Sequence, residues 1–190
     1  NIALKKYISS GSLKYGIFKN FFYEEKQVNY SDVCFISGFT VNNHSFMQDE
    51  LNETSRKILK HVIQFCESRG LKLSICMRLK PKNPMFKDEL IFFNEIDLND
   101  YATIIPNNDT FGSYDQSQHA KVIVDIFSTL GIEMFGAGKK VLFAASANDF
   151  HLANLWNALK NFEFLPSYVL LDDLSFDGVN VKLSYLLDMN

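Results

Sequence analysis

No stretch of this 190-residue chain approaches the ~20 consecutive apolar residues that a membrane-spanning helix requires, so no helical span is expected. An excess of one charge sign is also missing. The 19 Lys and Arg against 22 Asp and Glu leave a net charge of −3, which gives no global attraction to nucleic acid. Cysteine is sparse: Cys34, Cys66 and Cys76 lie in or beside apolar runs, with neither a Cys-x-x-Cys pair nor Cys/His ligand spacing. They read as reduced core residues of a cytoplasmic protein, not as a disulfide frame or a metal centre. The Gly-x-Gly-x-x-Gly turn of dinucleotide-binding folds is absent, and so is any Asp-x-Asp metal motif. The chain opens Asn-Ile-Ala-Leu-Lys-Lys, without initiator Met or signal peptide, and reads as a piece of a longer protein whose missing part holds half of any active site.

What is present is a composition suited to one folded domain, 47% hydrophobic and 22% charged. Its most informative stretch is Lys121–Ala145, KVIVDIFSTLGIEMFGAGKKVLFAA. Lys121–Ile126 is a short β-branched run that predicts a buried strand. Ser128 follows as a helix N-cap, the helix runs to about Ala137, Gly138 is placed for a C-cap, and Val141–Ala145 predicts a second buried strand. A strand, a short helix and a strand make one right-handed crossover of a parallel sheet. A capping box would put Glu three residues after Ser128, but Gly131 stands there, so the amides of Thr129, Leu130 and Gly131 are expected to be free. Such a helix start, at the carboxyl edge of an open α/β sheet, favours phosphate. Glu133, one turn further in, is placed to reach hydroxyls of the same ligand. An ordinarily capped helix with a surface glutamate is the alternative.

The same alternation extends over the chain. Residues 1–30 settle into no single pattern; Leu13–Tyr23 is aromatic and basic, and is expected to pack either on an absent part of the protein or on its own domain. Asp32–Gly38 predicts the first strand, followed by a long polar loop, Phe39–Asp49, and a helix capped by Asn52 or Thr54 that stops at Gly70. Leu71–Leu79 predicts the second strand, and Arg78-Leu79-Lys80-Pro81 brings basic groups out at its end. Met85–Asn94 predicts a helix, Tyr101–Pro106 a strand, and Tyr114–Ala120 a short helix. Phe150–Leu159 predicts another helix, Val169–Leu171 an edge strand, and Val179–Leu187 the start of a last helix. His61 and His119 read as surface or capping residues. The fold class is therefore α/β, a Rossmann-like three-layer α/β/α arrangement with a mainly parallel sheet over residues 31–190 and a linker over 1–30.

Three features together, Arg-Leu-Lys-Pro after the second strand, the helix Ser113–Ala120, and Asp125-Ile-Phe-Ser-Thr-Leu-Gly-Ile-Glu133 running on to Gly138-Lys-Lys-Val, resemble the C-terminal, donor-binding half of GT-B glycosyltransferases. The likeness is to those of bacterial surface polysaccharide synthesis, lipopolysaccharide or capsule, of the CMP-Kdo, sialic-acid and CDP-glycerol types. It covers essentially the whole chain, with Gly11 near the interdomain linker. The resemblance implies transfer of a sugar or polyol from a nucleotide-activated donor, a cytidine nucleotide being one candidate. Phosphate would lie at Ser128, Thr129 and Gly131, ribose at Glu133, and the base at the backbone of Ile105, Pro106 and Asn107. Arg78 and Lys80 would neutralise the departing nucleotide, although such transferases commonly carry His-Pro where this chain has Lys80-Pro81.

It further implies no metal and no cofactor beyond the nucleotide-sugar, and a glycan or glycolipid acceptor. Its catalytic base would be supplied by an N-terminal domain absent from this sequence, and its location would be cytoplasmic, at the inner face of the membrane. Two other readings stand beside it: a nucleotide-sugar epimerase-like enzyme, and a non-catalytic α/β module that docks a partner through residues 13–23.

Overall fold

The computed structural model describes residues 12–23, 31–40, 46–98, 100–126, 128–144 and 165–189. Six parallel strands form one sheet: β1 (Val33–Ile36), β2 (Leu73–Cys76), β3 (Ala102–Ile105), β4 (Val122–Asp125), β5 (Val141–Ala144) and β6 (Leu170–Leu171). Their order is β3-β2-β1-β4-β5-β6. Every residue of β1, β2, β4 and β5 is buried. That burial accounts for their largely apolar runs, interrupted only by Ser74 and Asp125, because a parallel strand with helices on both faces has no solvent side. The expected Rossmann-like fold is what the chain adopts.

The helices are α1 (Leu13–Ile17, continued by a π turn over Phe18–Phe22), α2 (Phe46–Arg69), α3 (Phe86–Asn94), α4 (Gly112–His119), α5 (Thr129–Gly136) and α6 (Phe176–Asp188). On one face α2 packs on α6, joined at the surface by Arg69 donating to Ser184 Oγ at 2.7 Å. Arg56 of α2 lies over the Phe92 ring of α3 and pairs with Glu95. On the other face α4 covers β1 and β2 while α5 covers β4 and β5. Cys34 and Cys76 are free, buried thiols with their sulfurs 3.4 Å apart, and Cys66 is buried in α2, as core residues should be.

Local signals were accurate where a glycine defined a helix end. Gly70 and Gly138 adopt positive φ, 64° and 82°, at the ends of α2 and α5. Lys139, just past the end of α5, donates from its Nζ to Gln118 O at the end of α4, 2.5 Å away. Other boundaries shift. The helix α2 begins at Phe46, not near Asn52, so the loop before it is shorter than expected; Asn52 instead bonds the backbone N–H and carbonyl of Thr40 with its side-chain amide. The final helix begins at Phe176, where Ser175 Oγ caps the Gly178 amide. The expected helix Phe150–Leu159 and the centre of the polar loop, Asn42-Asn43-His44, lie outside the described residues.

The aromatic segment Leu13–Tyr23 packs on its own domain. Phe18 is 1% exposed and meets the rings of Phe111 and Tyr114, and Tyr15 OH donates to Gln118 Oε1 at 3.2 Å. Leu13, Phe21 and Phe22 remain exposed.

Candidate functional site

The strand order reverses direction between β1 and β4, so the crevice beyond their carboxyl ends is where a ligand fits in this class of sheet. Gly38 permits the two strand ends to come together there: a Cβ on it would collide with the carbonyl oxygen of Ile126.

One residue organises the crevice from behind. Glu89 of α3 is completely buried, and its carboxylate accepts the Ser37 hydroxyl at 2.6 Å and the amides of Arg78 and Leu79 at 2.8 Å each. Burial raises its pKa, against the pull of those three donors and of the Arg78 charge. The effect is to tie the chain after β2 to the chain after β1. Arg78 is fixed further by its guanidinium donating to Phe39 O at 3.3 Å, and its carbonyl accepts from Asn107 Nδ2 at 2.8 Å. Lys80 Nζ lies 3.4 Å from Thr110 Oγ1. The tertiary structure thus gathers Arg78, Lys80 and Asn107 from two strand ends.

The start of α5 is less bare than its sequence suggests. Ser128 is the N-cap, but its Oγ accepts the Leu130 amide at 3.2 Å, so that amide is not free for a ligand. Ser128 N–H donates to Asp125 Oδ2 at 3.1 Å. Gly131 turns toward this same carboxyl: a Cβ there would fall 2.5 Å from Asp125 Oδ2. Its lack of a side chain therefore admits Asp125 beneath the helix start. Asp125 is 2% exposed with Oδ1 unpartnered, and burial pushes its pKa up to about 8, so the acid is largely neutral near pH 7. Neutrality matters because an ionised carboxylate here would oppose an anion at the helix start.

Glu133 is also engaged. It accepts a short hydrogen bond from the hydroxyl of Tyr114 on α4, and burial together with this acceptor holds the phenol in its protonated form. Glu133 thereby clamps α4 to α5, and it is Tyr114, not Glu133, that faces the crevice. Ile105 and Pro106 have their carbonyls bonded to the amides of Met77 and Asn108, and they line a separate, open hollow of about 610 Å³ alongside Phe22 and Phe111.

The crevice itself encloses about 240 Å³. Hydroxyls of Ser37, Thr110, Ser113, Ser128 and Thr129 line it, with the Asn107 amide. Arg78 and Lys14 add two cations, and no carboxylate is in its wall. Among the described residues no acid lies within 4.0 Å of the charged nitrogens of Lys14, Arg78 or Lys80. A small, hydroxyl-rich cavity with two cations and no carboxylate in its wall is suited to an oxyanion. The hollow of about 610 Å³ adjoins it through Thr110, which lines both.

Sequence reasoning missed Lys14, Ser37, Glu89, Thr110 and Tyr114. Only Ser37, at the end of the first strand, carried a local signal; the others arrive through long-range packing.

Residues 4–168 match the profile of a family described as "putative O-antigen biosynthesis protein". The chain belongs to that family. The description associates it with the synthesis of a surface polysaccharide. An uncharacterized protein of Amsacta moorei entomopoxvirus is 22% identical over 170 residues, covering 84% of this chain and 74% of that protein. No solved structure matches the chain. Among the described residues no helix is long and apolar enough to cross a membrane, and no three His, Cys, Asp or Glu side chains are grouped to hold a metal ion.

Proposed function

We propose that this member of the O-antigen family binds a nucleotide-activated sugar at the carboxyl edge of its sheet and is the donor-binding part of a glycosyltransferase. The observation that carries the reading is the carboxylate-free crevice of about 240 Å³ at the point where strand order reverses, walled by Ser128, Thr129, Asn107 and Arg78. Phosphate oxygens of the donor would take hydrogen bonds from Ser128 and Thr129, with Arg78 and Lys80 balancing the charge that grows on the departing nucleotide. Cations and amides placed in advance can carry that load without a metal ion. The sugar acceptor and the catalytic base belong, in this reading, to an N-terminal domain of the same protein, working at the cytoplasmic face of the membrane on a glycan or glycolipid.

Glu133 enters the reading in an altered role. Its carboxylate is taken by Tyr114, so a ribose hydroxyl would have to compete with the phenol for it. The hollow lined by Ile105, Pro106 and Phe111 is open enough for a base.

A second reading, a docking module, draws on the exposed side chains of Leu13 (81%) and Phe21 (78%) on the N-terminal helix. A titration followed by amide NMR separates the two. Adding CMP, CDP, UDP, GDP and inorganic phosphate in turn should shift Arg78, Asn107, Ser128 and Thr129 selectively for one nucleotide. A flat response to all five in a folded sample refutes donor binding.

A further inference from the structure

We propose that Lys14, from the N-terminal helix, is an anion-binding residue of the crevice, and that the crevice takes a pyrophosphate group in preference to a single phosphate. This rests on the donor-binding reading and narrows it to nucleoside-diphosphate donors. Lys14 stands more than sixty residues before Arg78 in the chain, yet both form the wall of the same cavity.

Its position is built. Ser12 Oγ caps the Tyr15 amide at 3.1 Å and starts the helix. Phe18 anchors that helix on α4, and the Tyr15–Gln118 hydrogen bond sets its rotation. Lys14 Nζ is thereby carried to 5.0 Å from the centroid of the Tyr114 ring, the same ring whose hydroxyl is held by Glu133. The ring face is the only partner that the described residues offer this ammonium, and it is weaker than an anion.

The charge count then selects the ligand. Two cations enter the cavity wall from separate parts of the fold, Lys14 from α1 and Arg78 from the chain after β2, and Lys80, outside the wall, lies 3.4 Å from the wall residue Thr110. No carboxylate in the cavity wall balances them. A diphosphate presents two phosphoryl groups, one for each of the two cations, where a single phosphate presents one. The volume agrees, since about 240 Å³ equals the share of about eight waters at ~30 Å³ each, room for more than one phosphoryl group. Because Lys14 rides on α1, ligand binding and the docking of that helix become linked: whatever binds Lys14 holds the helix down, and loosening the helix weakens binding by the same factor.

The test is calorimetric titration of the whole chain with inorganic pyrophosphate and with inorganic phosphate, in a buffer free of either. Four proteins are compared: wild type, Lys14→Met, Lys14→Arg and Lys19→Met, the last a cation on the same helix that does not line the cavity. Wild type should prefer pyrophosphate. Lys14→Met should lose about tenfold or more in pyrophosphate affinity and much less for phosphate, in line with loss of one charge-assisted contact. Lys14→Arg should retain most of the affinity, and Lys19→Met all of it. Pyrophosphate should also slow amide hydrogen exchange over Leu13–Phe22 in wild type but not in Lys14→Met. Equal affinity in wild type and Lys14→Met, or equal losses in Lys14→Met and Lys19→Met, overturns the role of Lys14 while leaving nucleotide binding intact. A wild-type chain that binds neither pyrophosphate nor any nucleotide refutes the donor-binding reading itself, and this proposal with it.

Discussion

Adding one methyl group to either of two glycines in the same helix should have opposite effects. In Gly131→Ala the new Cβ would lie 2.5 Å from Asp125 Oδ2 and 2.6 Å from Asp125 Cβ. Rotating Asp125 about χ1 can move Oδ2 but not its own Cβ, so relief demands a shift of β4 or of the start of α5. Both are in the packed interior, Asp125 being 2% exposed. Overpacking of this kind costs ~1–3 kcal/mol, and the displaced carboxyl also loses the Ser128 amide, about 1 kcal/mol more. The helix-propensity gain of Ala over Gly returns up to ~1 kcal/mol. The net expectation is a destabilisation of about 1–3 kcal/mol, or a fall in Tm of roughly 3–10 °C for a chain of this size. Gly136 closes the same helix with nothing within 4 Å of a Cβ, so Gly136→Ala receives only the propensity gain, at most ~1 kcal/mol of stabilisation. Urea unfolding of the two variants beside wild type measures the difference. If Gly131→Ala proves as stable as Gly136→Ala, Asp125 does not lie under the helix start and the account of Gly131 is wrong.

Three further outcomes are expected. Asp125 in the folded chain keeps its proton up to about pH 8 while the unfolded chain releases it near 3.8, so stability should decline as pH rises through that window, by an amount on the order of several kcal/mol at its upper end; Asp125→Asn should flatten the slope, and identical pH profiles would contradict a buried acid. Glu89→Ala strands the Ser37 hydroxyl and two backbone amides and should cost on the order of 3 kcal/mol, with faster exchange at Arg78 and Leu79, whereas Glu89→Gln keeps an acceptor oxygen and should cost less; equal losses would deny the carboxylate its anchoring role. Ser128→Ala combined with Thr129→Ala should lower nucleotide affinity while costing only about 1 kcal/mol of stability through the lost cap; unchanged binding would remove the helix start from the site.

Much of the fold was legible because its signals are local. Short runs of mostly apolar residues marked β1, β2, β4 and β5, since strands buried on both faces admit few polar side chains, here Ser74 and Asp125. Gly70 and Gly138 marked helix ends because a left-handed backbone turn is cheap only for glycine. The N-cap at Ser128 followed from a hydroxyl placed ahead of an apolar helix. The start of α2 at Phe46 was hidden because the polar stretch before it resembles a loop.

The candidate site divides along the same line. By itself the sequence determined that strands and helices alternate, that the sheet is parallel, and that Arg78, Lys80, Ser128 and Thr129 stand at strand ends, the edge that ligands favour in open α/β sheets. Each of these depends on neighbours a few residues away. Only the tertiary structure decided that the strand order reverses between β1 and β4, and that Glu89 draws two strand ends together. It alone turned Gly131 toward Asp125 and Glu133 toward Tyr114, and set Lys14 in the same cavity wall as Arg78. These are contacts between residues far apart in sequence, fixed by how whole elements pack, and no short window of the chain encodes them.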